Sequence, residues 1–230
     1  MKVGVNPLFS SNSIKALNVA RWVALVTMLI VVAFPASAKE AARNERIMVF
    51  GDSLSAAYGI NVKDGWVALL ETKLRPQGIA VLNASISGET TRGGLSRIKA
   101  DLARLNPTIV VLALGANDGL RGLPNTDTRK NLEAMIAAAR TFGARVVLVG
   151  IQIPPNYGLE YAQQFRDMYA ELAAKHKLAF VPFLLEGIAD KLELFQGDRL
   201  HPTAVAQAKI LDNVTPAVMQ AAGNRSAVRK

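Results

Sequence analysis

Apolar and polar positions alternate along this chain in two kinds of block. Short apolar runs form the first kind: Ile47-Met48-Val49-Phe50, Ile79-Ala80-Val81-Leu82-Asn83, Ile109-Val110-Val111-Leu112-Ala113-Leu114, Val146-Val147-Leu148-Val149 and Leu178-Ala179-Phe180-Val181. Runs this short, bounded by Gly, Pro or Asn, predict strands. In the second kind, apolar residues recur at three- and four-residue steps. Trp66, Leu69, Leu70 and Leu74 predict a helix that Pro76 stops. Leu95, Ile98, Leu102 and Leu105 predict another, ended by Asn106-Pro107. Further helices are predicted over 126–141, closed by Phe142-Gly143, over 160–177, and from near Pro202 to 221.

Strands that are apolar on both faces and alternate with helices predict a parallel sheet covered on each side. The fold class is therefore α/β: a flavodoxin-like three-layer α/β/α sandwich with a five-stranded parallel sheet, in the order 2-1-3-4-5. Folds of this kind bind ligands outside the carboxyl ends of the strands, beside strand 1, where the strand order reverses. Chemistry is sought first in the residues that follow Phe50, Asn83 and Leu114.

The first 38 residues break the pattern. They carry Lys2, Lys15 and Arg21 and no acid, then an apolar run from Trp22 to Phe34, then Pro35 and Ala36-Ser37-Ala38. This order reads as a secretory signal peptide over 1–38, leaving a mature domain over 39–230. The apolar run is shorter than the ~20 residues of a bilayer span. The length of the basic segment leaves an uncleaved anchor or a misplaced start codon as alternatives. The expected location is periplasmic or secreted, with no stable membrane anchor after cleavage. Without cysteine there is neither a lipoprotein anchor nor a disulfide, so the core alone holds the fold. The whole chain has 27 basic and 18 acidic residues; removing the three basic residues of the leader leaves 24 against 18, a net charge of +6. Such a surface serves solubility or attracts anionic headgroups and substrates. The basic residues are dispersed, and no nucleic-acid partner is expected. A monomer is the default.

Ser53 stands in Gly51-Asp52-Ser53-Leu54, just past the first strand. A serine there is commonly a turn or cap residue, and Asp52 is expected to shape the turn through backbone N–H groups. A serine nucleophile needs a base, for which histidine is suited by a pKa near neutrality. The chain has two histidines. His176, in Ala174-Lys175-His176-Lys177, suits the C-terminus of a helix. His201 lies in Gly197-Asp198-Arg199-Leu200-His201-Pro202. A carboxylate three residues earlier can reach imidazole Nδ1 and set its tautomer; the same pair also suits a loop cap ahead of the last helix. Oxyanion donors are available on two further strand ends. Gly88 follows strand 2 and has no Cβ to shield its N–H, and Asn117 follows strand 3 with a side-chain amide. Strands 2 and 3 flank strand 1 in the expected order, so the loops of Gly88, Ser53 and Asn117 are neighbours.

In sequence order, Gly51-Asp52-Ser53-Leu54, Gly88, Gly115-Ala116-Asn117-Asp118 and Asp198-x-x-His201-Pro202 resemble the four blocks of the SGNH (GDSL) hydrolase superfamily. Residues 51–58, 83–88, 117–122 and 154–158 resemble its bacterial acyl-CoA thioesterase, lysophospholipase and arylesterase branch. The likeness runs through essentially the whole mature chain. It implies Ser53 as nucleophile, with its own N–H, the Gly88 N–H and the Asn117 amide as oxyanion hole, His201 as base and Asp198 as its orienting acid. It implies a serine esterase/thioesterase working through an acyl-enzyme on small acyl or aryl esters and thioesters, lysophospholipids among them, with no cofactor and no metal. There are two departures: Ala116 stands where a second glycine is common, and Arg199-Leu200 fill the gap between acid and base. Neither removes a catalytic atom. Arg199 is either solvated or within reach of an anionic leaving group.

Two other readings stay open. One is a carbohydrate O-deacetylase of the same superfamily, acting on envelope polysaccharide; the other is a binding module without catalysis. The complete set of catalytic atoms argues against the second. A sugar groove is expected to be polar and aromatic, whereas aromatics are 6% of this chain and residues 120–124 and 151–157 are mostly apolar. Leu120, Leu123, Pro154 and Tyr157 are therefore candidate substrate-binding residues, with ordinary loop packing as the competing account. Gly51–Ser55 lacks the last glycine of Gly-x-Ser-x-Gly, so an α/β-hydrolase elbow is not indicated. No phosphate loop or dinucleotide fingerprint occurs, and two histidines without cysteine make a poor transition-metal set.

Overall fold

The computed structural model describes residues 45–223, together with Met1 and Gly4. Apart from those two residues, the expected signal peptide over 1–38 lies outside the described residues, as do 39–44 and 224–230. Five parallel strands form one sheet: β1 (Arg46–Gly51), β2 (Ala80–Asn83), β3 (Ile109–Ala113), β4 (Arg145–Val149) and β5 (Ala179–Val181). Their order is β2-β1-β3-β4-β5, as the sequence predicts. Ile47, Met48 and Val49 of β1 stand beside Ile109, Val110 and Val111 of β3 on one side and Val81, Leu82 and Asn83 of β2 on the other. Residues 47–50 are completely buried. Burial of each such side chain stabilises the fold by roughly 1.5–3 kcal/mol, which is why the central strands read as unbroken apolar runs.

The helices are α1 (Trp66–Leu74), α2 (Thr91–Leu105), α3 (Ala116–Leu120), α4 (Asn125–Thr141), α5 (Leu159–Lys175) and α6 (Gln207–Gly223). Helix α1 packs against α6, while α2, α4 and α5 pack in succession as a second group, giving the two outer layers. Helix α2 starts where the Thr90 hydroxyl accepts from Gly93 N at 3.2 Å, a cap worth about 1 kcal/mol. It ends where Asn106 turns left-handed, φ 44°. None of the described helices is long and apolar enough to cross a membrane.

Several boundaries differ from the sequence reading, each for a local reason. Helix α5 stops at Lys175, two residues early, because Lys177 adopts φ 48° and turns the chain into β5. Strand β2 begins at Ala80 and β5 at Ala179, each one residue late. Helix α6 begins at Gln207 and not near Pro202. There Pro202 pairs with Phe195 in an antiparallel bridge, Thr203 N donates to Leu194 O at 2.8 Å, and a 3-10 turn over Ala204–Ala206 precedes the helix. Helix α3 has five residues, too short to show a helical period in the sequence.

Candidate active site

Strand β1 ends at Gly51, and the chain then folds back on Asp52. Ser55 N and Ala56 N donate to Asp52 O at 3.1 and 2.9 Å, and Leu54 N donates to Asp52 Oδ1 at 3.0 Å. Asp52 is 1% exposed. Burial pushes its carboxyl up to about 7; the Leu54 N–H pulls it down, and the nearby Asp118 and Glu89 charges push it further up. It acts as a turn former, as the sequence suggests. The turn is also tied from outside. The Trp66 indole N–H donates to Leu54 O at 3.1 Å, and Trp66 N donates to Gln207 Oε1 at 3.1 Å, so the starts of α1 and α6 are both connected to it.

Ser53 leaves this turn with its Oγ 2.9 Å from His201 Nε2. His201 Nδ1 lies 2.7 Å from Asp198 Oδ2. The other oxygen, Asp198 Oδ1, accepts from Leu200 N at 2.9 Å and from His201 N at 3.0 Å. The His201 N–H, the His201 side chain and the Leu200 N–H hold the Asp198 carboxyl down at about 2. The carboxylate is thus ionised at neutral pH. Nδ1 accordingly carries its proton towards Asp198, and Nε2 presents a lone pair to Ser53 Oγ. Arg199, in the middle of this step, has φ 59°; the left-handed residue is what folds three residues tightly enough to bring the acid back to its own histidine.

The neighbouring strand ends supply donors. Gly88 has φ 79°, and among the described residues neither the Ser53 N–H nor the Gly88 N–H meets a protein acceptor. Asn117 lies in α3, and one of its two amide hydrogens is used: Nδ2 donates to Glu89 O at 3.0 Å. That bond ties α3 to the Gly88 loop and leaves the second N–H for a ligand. Next to it, Asp118 is 2% exposed and accepts from Thr91 N at 2.8 Å and Thr91 Oγ1 at 2.5 Å. A carboxylate against the first residue of α2 is favoured by the helix dipole and fixes α3 to that helix. Gly115 makes the entry to α3 possible. Its φ is 121°, and a Cβ there would sit 2.0 Å from Tyr169 Oη, the hydroxyl that donates to Leu114 O at 2.9 Å.

A cavity of about 400 Å³ opens beside the pair, with Ser53, Asn117 and His201 on its wall. Leu120 and Pro154 line it, and so do Ala116 and Arg199, whereas Leu123 and Tyr157 stand outside its lining at 36% and 41% exposure. Gly88 is also outside the lining. Much of the apolar wall comes from Phe183, Leu185 and Phe195, which the sequence reading did not single out. Their signal was a cluster of large apolar residues between β5 and His201 that fits no helix or strand period. His176 lies elsewhere, at the end of α5, with Nε2 3.2 Å from Glu133 Oε1.

Residues 49–209 match the GDSL-like Lipase/Acylhydrolase family. Esterase TesA of Pseudomonas aeruginosa is 47% identical over 75% of this chain and 87% of its own. Thioesterase 1/protease 1/lysophospholipase L1 of Escherichia coli K12 is 35% identical over 85% of this chain and 91% of its own. Among solved structures, the psychrotrophic esterase EstA from Pseudoalteromonas sp., inhibited by monoethylphosphonate, superposes with a TM-score of 0.74 at 39% identity, over 78% of this chain and 100% of that one.

Proposed function

This chain belongs to the GDSL-like lipase/acylhydrolase family, and we propose that Ser53, His201 and Asp198 are the nucleophile, base and orienting acid of its reaction. The protein is a hydrolase of ester bonds. His201 Nε2 takes the Ser53 proton as Oγ attacks the substrate carbonyl, and Asp198 stabilises the imidazolium that forms. The oxyanion of the tetrahedral intermediate is received by the Ser53 and Gly88 N–H groups and the Asn117 amide. Collapse expels the alcohol or thiol, which leaves with the proton from His201. Water, deprotonated by the same imidazole, then releases the acid from the acyl-Ser53 intermediate. The observation that carries this reading is the unbroken line Ser53 Oγ, His201 Nε2, His201 Nδ1, Asp198 Oδ2, with links of 2.9 and 2.7 Å.

Asn117→Ala should lower kcat for p-nitrophenyl butyrate by about 10²–10³ and leave KM nearly unchanged, because the lost bond strengthens only as charge develops. A kcat within threefold of the parent enzyme would remove Asn117 from the oxyanion hole.

The substrates we assign are carboxylic esters and thioesters with an acyl or aryl group that fills the apolar cavity, lysophospholipids included. Envelope polysaccharide acetates fit it less well, since their acyl group is two carbons long. The basic, apolar, small-residue order of residues 1–38 supports a periplasmic or secreted enzyme. A p-nitrophenyl ester series beside palmitoyl-CoA and lysophosphatidylcholine tests the substrate assignment. With about 0.8 kcal/mol per buried methylene, kcat/KM should climb by up to about fourfold per carbon until the cavity is full. A maximum at acetate would favour the deacetylase reading.

A further inference from the structure

We propose that Gln196, which takes no part in the chemistry, is a positioning residue that locks the loop of the nucleophile to the loop of the base. The inference rests on the roles assigned above to Ser53 and His201. Those two side chains come from loops far apart in the chain, 52–60 and 194–203, and their 2.9 Å contact holds only while the loops keep one separation. Apart from that contact, one hydrogen bond joins the two segments among the described residues: Gln196 Nε2 to Tyr58 O, at 2.8 Å.

The same nitrogen donates its second hydrogen to Pro202 O at 3.1 Å, immediately after the base. The backbone of residue 196 closes the turn from the other side. Gln196 N donates to His201 O at 2.8 Å, and Arg199 N donates to Gln196 O at 2.9 Å. Gln196 therefore holds the Asp198–His201 turn at both ends while its side chain reaches across to the nucleophile. The far end of that reach is also shaped for it. Gly59 has φ 74°, and a Cβ there would lie 2.0 Å from Gln196 Oε1, so the amide occupies space that a side chain would otherwise take.

What the bond positions at Tyr58 matters as well. The Tyr58 ring lies against the His201 ring, centroids 4.5 Å apart and planes 41° from parallel. Tyr58 is 51% exposed, so packing alone does not fix it. Its backbone is fixed by Gln196 at the carbonyl and by its own N–H to Ser53 O at 3.3 Å. Through these contacts Gln196 sets the face against which the imidazole rests.

Gln196→Met keeps the length of the side chain and removes both donors. On p-nitrophenyl butyrate we expect kcat to fall about 10–100-fold, the scale of a small misplacement of reacting groups, with KM within twofold. The rate of fluorophosphonate capture at Ser53 should fall in step with kcat. Gln196→Glu, which keeps the shape and turns the donors into acceptors, should show the same split; it serves if the Met variant folds poorly. Wild-type kcat in either folded variant would overturn the proposal. So would a loss in which KM and the melting temperature move together with kcat, the mark of a merely structural residue beside the cavity wall at Phe195. Capture at Ser53 in the unaltered enzyme is scored separately, so failure of the nucleophile assignment would be seen as such.

Discussion

Ser53→Ala should remove turnover of p-nitrophenyl esters by about 10⁵–10⁶-fold while the protein keeps its fold. The size follows from what the hydroxyl does. Without Oγ no acyl-enzyme forms, and the remaining acceleration is limited to what the oxyanion donors and the cavity give a water molecule. The fold should be indifferent because the turn is held by Asp52, Leu54 and Trp66, whose bonds do not involve Ser53 Oγ. Circular dichroism and thermal melting of the variant check this half of the prediction. A variant that melts like the parent and retains a tenth of its activity would end the assignment.

His201→Ala should be nearly as damaging, and His176→Ala close to silent. Both histidines contact a carboxylate, so the presence of such a contact does not tell them apart. Location does. His201 faces Ser53 Oγ with one nitrogen and Asp198 with the other, whereas His176 caps α5 and meets Glu133, which Lys175 also bridges at 2.6 Å. A half-exposed pair of that kind contributes about 0–1 kcal/mol to stability and nothing to ester turnover. The Ser53→Ala/His201→Ala double variant should be no worse than either single one, since nucleophile and base act as a unit. Equal losses at His201 and His176, or additive losses at Ser53 and His201, would contradict the account.

The central strands β1, β3 and β4 were legible because they are buried on both faces, the edge strands β2 and β5 by their short apolar runs, and the order followed from the alternation with helices. The candidate site was legible because topology brings the ends of β1, β2 and β3 together, so the loops of Ser53, Gly88 and Asn117 were neighbours before any distance was known. What stayed hidden were residues whose work is done by atoms a periodicity does not weigh. Trp66 reads as an apolar helix position, yet its indole N–H is a tie to the turn that carries Ser53. Gln196 reads as one polar residue in a loop, and only the folded chain shows its amide between Tyr58 and Pro202. The wall of the cavity came from Phe183, Leu185 and Phe195, on an irregular segment where no repeat announces which side chains point inward. Leu123 and Tyr157 illustrate the converse: one lies in a loop and the other ends a 3-10 turn over Pro155–Tyr157, both at the correct end of the sheet, but the Leu123 carbonyl is turned to Tyr161 Oη at 2.7 Å and both side chains remain outside the lining.

The most direct test is covalent capture. An active-site fluorophosphonate, followed by peptide mapping, should place one adduct per chain on Ser53, with labelling lost in Ser53→Ala and slowed in His201→Ala. An adduct on any other serine, or labelling of the Ser53→Ala variant at the parent rate, would contradict the central claim.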